Sequence, residues 1–123
     1  MTNIEIKILP MVYDSILWMA PKIIHYPKKY KFSIGDRIIN TQLELLDQII
    51  DAKYATSGKK KHFLRKANLL LEKLRYLIRL SKDLQCLSIK AYEFMSKQIN
   101  EIGKMVGGWE KWTSEKSRKS ESL

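Results

Sequence analysis

Apolar residues recur every three or four positions over most of the chain, and short stretches without this spacing separate the periodic segments. Such spacing places apolar side chains on one face of an α-helix. The pattern predicts four helices. We expect the first over about 10–25, the second from Ser33 to about 54–56, the third over about 59–83 and the fourth over about 88–105.

Proline, serine and glycine residues set the expected ends of these helices. Pro10 suits a first helical turn, where its missing N–H has no partner in any case, and Ser33 is a good N-cap. Ser57-Gly58 predicts a loop before the third helix, and Gly107-Gly108 predicts the end of the fourth. Residues 26–32 alternate lysine with aromatic residues and contain a proline, which predicts a basic connection outside the core.

Four helices with short connections predict an all-α fold: an antiparallel up-down four-helix bundle in a single domain. The bundle is expected over residues 1–112. Residues 113–123 alternate serine with charged residues, and this composition predicts a disordered polar tail. The third helix has the most regular core seam, with apolar residues at steps of three and four: Leu64, Ala67, Leu71, Leu74 and Ile78.

The second helix is apolar over a wider face than one narrow core can bury. Ile38-Ile39 and Leu45-Leu46 each place two large apolar side chains next to each other, and neighbouring side chains on a helix diverge by about 100°. Some of them are expected to reach a neighbouring protomer. The sequence therefore predicts a homo-oligomer, without fixing the number of copies.

Charge adds a second feature to this helical framework. The 123 residues include 23 Lys and Arg against 13 Asp and Glu, a formal net charge of +10. Residues 57–83 alone carry +7, whereas residues 34–56 carry −2. Basic charge concentrated on one segment is typical of proteins that bind a polyanion. The alternative is a basic surface that only aids solubility.

Three groups of cations carry the predicted nucleic-acid interface. In 28–31, cations beside aromatic rings can neutralise phosphates while the rings stack on unpaired bases. In 59–66, cations at a helix start oppose the helix dipole and add no stability, which favours a polyanion partner. Arg75, Arg79 and Lys82 share one helix face, where only Glu72 and Asp83 can offset them. The predicted binding residues are Lys28, Lys29, Lys31, Arg37, Lys59, Lys60, Lys61, Arg65, Arg75, Arg79 and Lys82.

Aromatic residues near the predicted bundle ends are candidates for a protein interface. Tyr30, Trp109 and Trp112 are the predicted contact residues, because tryptophan and tyrosine are enriched in interfaces. The alternative is that such rings close the ends of the bundle. We expect that alternative for Tyr26 and Phe32, and it is also open for Trp109.

The sequence offers no constellation for catalysis. His25 and His62 lie in different elements, Cys86 has no Cys or His neighbour, and no glycine-rich phosphate loop precedes a helix. We therefore predict a protein that is not an enzyme and has no metal, cofactor or small-molecule substrate. A lone cysteine fits a reducing compartment, and no apolar run approaches the length of a membrane span, so a cytoplasmic location without membrane association is expected.

Three motifs resemble a known family. The stretches are YPKKYKFSIGDRI from Tyr26 to Ile38, LIRLSKDL from Leu77 to Leu84, and IGKMVGGW from Ile102 to Trp109. In this order they resemble the accessory variability determinant (Avd) proteins of diversity-generating retroelements. The resemblance covers about residues 10–112. Four-helix proteins encoded in ribosomal RNA intervening sequences share part of the pattern, and a structural or interaction role of that type is the alternative.

The resemblance implies properties that composition does not show. Avd proteins are basic homopentamers of four-helix protomers that bind RNA or DNA and the reverse transcriptase of the element. They support synthesis of mutagenised cDNA from a template repeat and have no known active site. The residues inside the matching motifs that the resemblance assigns to binding are Lys28, Lys29, Arg37, Arg79 and Lys82.

Overall fold

The computed structural model describes the backbone of residues 3–122 and the side chains of residues 7–116. Its elements are α1 (Asn3–Ile24), α2 (Lys28–Tyr30), a π-helical turn (Lys31–Gly35), α3 (Asp36–Tyr54), α4 (Ser57–Asp83) and α5 (Ile89–Ser122). The described chain contains no strand. The predicted all-α fold with four long helices is confirmed.

Each long helix packs against two others: α1 and α4 both contact α3 and α5. Residue numbers that rise along α4 meet residue numbers that fall along α5, because Arg65 contacts Glu110 and Arg75 contacts Asn100. The two helices are therefore antiparallel. Two residues connect α3 to α4. These relationships are compatible with the predicted up-down order.

The core follows the apolar spacing of the helices. All five seam residues of α4 are buried, with side-chain exposures of 0–1% from Leu64 to Ile78. On α3, Ile38 and Leu45 are fully buried, while their neighbours Ile39 and Leu46 are partly buried and pack against the same core. Both members of each apolar pair thus contribute to the protomer itself. Burial of one large apolar side chain stabilises a fold by roughly 1.5–3 kcal/mol.

α1 begins before Pro10, so the prediction that Pro10 starts the first helix is wrong. Pro10 lies inside α1. Its ring removes one backbone hydrogen bond, at a cost of roughly 3 kcal/mol in a helix interior. Ile8 and Val12 on either side of it are both 0% exposed. Burial of this extra turn in the core offsets the lost hydrogen bond.

The basic segment after α1 is mostly helical, which corrects the predicted connection over 26–32. α2 and the π-helical turn lead without a break into α3. Ser33 is not an N-cap, because it lies inside the π-helical turn and its Oγ donates a hydrogen bond to the Lys29 carbonyl at 3.1 Å. Gly35 is buried here, and a Cβ at this position would lie 2.7 Å from Cγ2 of Ile23. The close approach of α1 sets the path of the backbone.

Two further helix ends also differ from prediction. Ser57-Gly58 and the lysines that follow form the first turns of α4 rather than a loop, while α3 ends at Tyr54 as predicted. α5 continues through Gly107-Gly108, because Trp109 and Thr113 extend its buried face by two turns. Thr113, the first residue of the predicted disordered tail, is buried. Side chains after residue 116 lie outside the described residues, so the boundary at residue 112 stays a prediction.

Candidate nucleic-acid interface

One face of α4 carries a row of cations along its border with α5. Positions 61, 65, 68, 72, 75, 79 and 82 follow each other at steps of four and three, so they share this face. The row spans about 32 Å at 1.5 Å per residue. Its members are Lys61, Arg65, Asn68, Glu72, Arg75, Arg79 and Lys82. The face predicted for Arg75, Arg79 and Lys82 is the C-terminal part of this row, and the same spacing extends the row to Lys61.

Arg75 is the most firmly held cation of this row. Its Nη1 lies 3.0 Å from Oε2 of Glu72, and its Nε donates a hydrogen bond to Oδ1 of Asn100 at 3.3 Å. A Cβ on Gly103 would lie 2.8 Å from Nη2 of Arg75. The guanidinium therefore lies against the backbone of α5 at a position that only glycine leaves open.

The other cations of the row have weaker partners. Nε of Arg79 lies 3.9 Å from a carboxylate oxygen of Asp83, and both side chains are more than half exposed. Nε of Arg65 lies 3.4 Å from Oε1 of Glu110. Exposed ion pairs of this kind contribute about 0–1 kcal/mol. A phosphate can replace these carboxylates at little cost and can accept two parallel hydrogen bonds from an arginine.

A groove of about 270 Å³ opens beside the C-terminal half of the row. It is lined by Glu72, Arg75, Tyr76, Arg79, Tyr92, Ser96 and Asn100. The Tyr76 side chain is 63% exposed. Nζ of Lys82 lies 4.5 Å from the centroid of the Tyr92 ring. The groove thus combines cations, hydrogen-bonding groups and aromatic rings, which are the groups that single-stranded nucleic acid requires.

The lysines of 28–31 lie at the same end of the bundle as Lys82. Lys28 and Lys29 are exposed on α2, and Lys31 is half-buried in the π-helical turn. Burial raises the pKa of the Cys86 thiol, just after α4, and the charge of Lys29 opposes this shift. That electrostatic interaction places Lys29 close to the end of α4.

The aromatic residues of this segment divide into buried and exposed rings. Tyr26 is 4% exposed, as expected for a ring that folds back onto the bundle. Phe32 is 64% exposed, so the same expectation is wrong for Phe32. Tyr30 is half-buried, and Nζ of Lys29 lies 5.0 Å from its ring centroid. A role of Tyr30 in a protein interface stays a prediction.

Lys60 has a structural role at the opposite end of the bundle. Its Nζ donates hydrogen bonds to the carbonyls of Ala52 at 2.9 Å and Lys53 at 3.1 Å, in the last turn of α3. A cation there also interacts favourably with the negative end of the α3 dipole. The prediction that cations at this helix start add no stability is therefore wrong for Lys60. Lys59 is exposed and Lys61 is half-buried.

Arg37 and the two tryptophans lie apart from the row. Arg37 is exposed on α3 and lines a second groove between α3 and α4. Trp109 is 1% exposed, which agrees with the alternative in which it closes the end of the bundle. Trp112 is 39% exposed, and Nζ of Lys116 lies 5.0 Å from its ring centroid. Partner contacts of both tryptophans stay predictions.

The described part of the chain also bears on metal sites and membrane spans. Among its residues, no group of three or more His, Cys, Asp and Glu side chains is placed to hold a metal ion. None of its helices combines the length and the apolar character that a membrane span needs.

Comparison with known proteins identifies the family. A family model described as bAvd-like matches residues 6–113, most of the chain and all three motifs. The comparisons with curated proteins and with solved structures gave no match. The chain belongs to the bAvd-like family and is an accessory protein of the Avd type.

Proposed function

We propose that this accessory protein binds template RNA or its cDNA along the cation row of α4 and also binds a reverse transcriptase, thereby supporting mutagenic retrohoming without catalysing a reaction itself. Membership of the bAvd-like family supports the accessory role. The observation that carries the nucleic-acid half is the row itself, with five cations on one face of a single helix.

The dimensions of the row suit one strand of a nucleic acid. Its length of about 32 Å corresponds to roughly nine nucleotides at 3.4 Å per nucleotide along one strand. Glu72 and the partners Asp83 and Glu110 offset part of its charge. Because these ion pairs are weak in water, the phosphates of a strand can replace the carboxylates as partners of the arginines, one pair at a time. Phosphate contacts fix position without reading sequence, so binding should depend little on sequence.

The proposals of a protein partner and of self-association rest on membership of the bAvd-like family. A reverse transcriptase needs a surface separate from the cation row if both are to bind at once. The exposed Trp112 and Phe32 lie outside the row and are available for that contact. Assembly into a homo-oligomer, a pentamer by the family resemblance, would bring several rows together, and linked sites raise the apparent affinity for a long strand.

Binding of single-stranded RNA over a salt series tests the nucleic-acid half. The variant Arg79→Ala/Lys82→Ala removes two cations of the row, and Lys97→Ala/Lys104→Ala removes two exposed cations of α5 as a matched control. We expect the first variant alone to reduce the slope of log K against log salt, by about 0.7 for each lost phosphate contact. Equal slopes for both variants, or no binding of the wild-type protein near about 50 mM salt, would contradict the proposal.

Copurification tests the protein half. The reverse transcriptase of the proposed retroelement should retain the accessory protein after nuclease treatment, because the contact is proposed to be direct. The Arg79→Ala/Lys82→Ala variant should be retained equally well. Loss of the complex on nuclease treatment would show that nucleic acid alone joins the two proteins.

A further inference from the structure

The cation row of α4 contains one carboxylate, Glu72, between the cations Arg65 and Arg75. A carboxylate repels phosphate, so this position opposes a continuous track of phosphate contacts. The ion pair of Glu72 with Arg75 is exposed and therefore weak in water. A carboxylate accepts up to about four hydrogen bonds, and the Glu72 side chain is 57% exposed. It is therefore open to a ligand that donates hydrogen bonds.

Arg75 holds this carboxylate beside a hydrogen-bond donor of α5. Its Nη1 lies 3.0 Å from Oε2 of Glu72, and its Nε donates a hydrogen bond to Oδ1 of Asn100 at 3.3 Å. Because Oδ1 accepts from Arg75, the Nδ2 amide group of Asn100 is the one left to donate to a ligand. Arg79 and Ser96 line the same groove and add further donors. The groove thus places a strong acceptor next to several donors.

Tyr76 forms the most accessible aromatic wall of this groove. It follows Glu72 at a spacing of four residues, so the two side chains share a face of α4. The Tyr76 side chain is 63% exposed. Tyr92, across the groove on α5, is half-buried, and Nζ of Lys82 lies 4.5 Å from its ring centroid. Tyr76 is therefore the ring on which a base can stack.

Glu72 and Tyr76 also line the second groove, which lies between α3 and α4. Since one groove is bordered by α5 and the other by α3, these two side chains form the ridge between the grooves. Two arginines of the cation row lie on the α5 side of the ridge, and Arg37 and Lys73 line the groove on its other side. A base on Tyr76 therefore has cations on both sides, which can bind the phosphates before and after it.

We propose that the groove between α4 and α5 binds one unpaired guanine base of the strand that follows the cation row. The base stacks on Tyr76, and its Watson–Crick edge donates hydrogen bonds from N1 and N2 to the Glu72 carboxylate. The adjacent O6 accepts a hydrogen bond from the donors of the groove. The inference rests on the proposed binding of nucleic acid along the row and adds recognition of a base to it.

The carboxylate is the group that selects guanine. Among the four bases of RNA, guanine alone presents two adjacent N–H donors on its Watson–Crick edge. Adenine and cytosine present an amino group beside an unprotonated ring nitrogen, and uracil presents one N–H between two carbonyl oxygens. A carboxylate that faces any of those three edges meets a lone pair, which repels it. With guanine it accepts two parallel hydrogen bonds, and hydrogen bonds to an ionised acceptor are the stronger ones.

Recognition of one base agrees with weak dependence on sequence elsewhere. The groove takes a single base out of the roughly nine nucleotides that the row spans. Phosphate contacts along the rest of the row carry no sequence information. The Watson–Crick edge of a base is occupied in a duplex, so the groove also favours single strands over duplexes.

The variant Glu72→Gln tests the two effects of the carboxylate in the full chain. The probe is an oligouridine of about nine nucleotides with one central guanosine, compared with the same strand carrying adenosine there. We expect the wild-type protein to bind the guanosine strand more tightly by roughly fivefold or more. Inosine, which lacks the N2 amino group, should lose part of this preference. In Glu72→Gln, loss of the negative charge should raise the affinity for the adenosine strand and abolish the preference for guanosine.

A matched control removes the same charge elsewhere. Glu44 is exposed on α3 and lines neither groove. Glu44→Gln should leave the preference for guanosine unchanged. If Glu72→Gln instead raises the affinity for both strands equally and keeps the preference, Glu72 affects only the phosphates and the proposed base contact is wrong.

Replacement of Tyr76 tests the stacking contact. Tyr76→Ala should weaken binding of the guanosine strand roughly fivefold or more, whereas Tyr76→Phe keeps the ring and should bind like the wild type. Tyr13→Ala removes a ring that is 55% exposed on α1 and serves as the control. Circular dichroism of each variant checks that the bundle is folded. Equal affinities of the Tyr76→Ala and Tyr13→Ala variants would overturn stacking on Tyr76.

The outcomes separate base recognition from the proposed function. Equal wild-type affinities for the two strands, with the salt dependence expected of the row, would overturn the guanine site and leave binding along the row intact. Failure to bind either strand would overturn both. Guanosine monophosphate should compete only weakly, because it offers one phosphate where the strand offers several. Competition as strong as that of the guanosine strand would assign the groove to a free nucleotide and overturn the proposal of a strand-borne base.

Discussion

The guanidinium of Arg75 lies against the backbone of Gly103, so closely that a Cβ at residue 103 would lie 2.8 Å from Nη2. Arg75 belongs to α4 and Gly103 to α5. The contact holds one cation of the row in the groove between the two helices. It also gives a physical reason for a glycine in the middle of a long helix, where alanine is preferred by roughly 1 kcal/mol.

Gly103→Ala should change stability and nucleic-acid binding in opposite directions. Alanine raises helix propensity by up to about 1 kcal/mol, and the end of the flexible Arg75 side chain can move away. That movement takes the guanidinium out of the groove and weakens RNA binding. Gly107→Ala is the control, because a Cβ at residue 107 meets nothing within 4 Å. It should stabilise the protein without changing RNA affinity, and equal affinities for the two variants would contradict a role of Arg75.

Lys60→Ala should destabilise the bundle, whereas Lys59→Ala should not. Nζ of Lys60 donates to two carbonyls at the end of α3, and each such hydrogen bond contributes about 0.5–1.5 kcal/mol. Lys59 is exposed on the same turn. Urea unfolding of the two variants measures the difference in unfolding free energy. Equal losses of unfolding free energy in the two variants would show that the carbonyl contacts of Lys60 do not contribute to stability.

Gly35→Ala should destabilise the junction between the π-helical turn and α3. A Cβ there would lie 2.7 Å from Cγ2 of Ile23, which is buried at 6% exposure. Overpacking of a buried contact costs about 1–3 kcal/mol. Thermal unfolding monitored by circular dichroism tests this. An unchanged Tm would mean that α1 can move aside without loss of packing, and the exposed Gly58→Ala serves as the matched control.

The helices and the core of α4 could be predicted from the sequence because burial itself imposes the spacing of apolar residues. Leu64 to Ile78 repeat at steps of three and four and are all buried. The helix ends could not be predicted in the same way. Pro10 and Gly107-Gly108 oppose a helix locally. Neighbouring helices nevertheless bury Ile8, two residues before Pro10, and Trp109, directly after Gly108. The stability of those turns comes from tertiary contacts.

The positive charge of the candidate site could be predicted from the sequence, whereas its geometry could be predicted only in part. The excess of cations over 57–83 and the face shared by Arg75, Arg79 and Lys82 follow from residue numbers alone. The role of Lys60 depends on where α3 ends in space, and the position of Arg75 depends on Gly103, which is 28 residues away in the sequence. Such relationships arise only when the helices pack.

Tyr26 should make the protein less stable at alkaline pH. Burial raises the pKa of its hydroxyl, and the nearby Ser81 hydroxyl opposes the shift without removing it. Ser81 itself donates to the Leu77 carbonyl, and the Tyr26 hydroxyl has no hydrogen-bond partner among the described residues. The folded protein thus holds the phenolic proton more tightly than the unfolded chain does, where the pKa is about 10.

The sign of the effect follows from this difference in proton binding. Above pH of about 10 the unfolded chain loses the Tyr26 proton first, so the unfolding free energy falls as the pH rises towards the folded-state pKa. Tyr26→Phe should remove that dependence and, because it also removes a buried unpaired hydroxyl, should leave the neutral-pH stability unchanged or slightly higher. Tyr54→Phe, at a ring 78% exposed, is the control. Urea unfolding at pH values from about 8 to 11 measures the slopes, and a Tyr26→Phe variant as sensitive to alkali as the wild type would show that this hydroxyl does not titrate with folding.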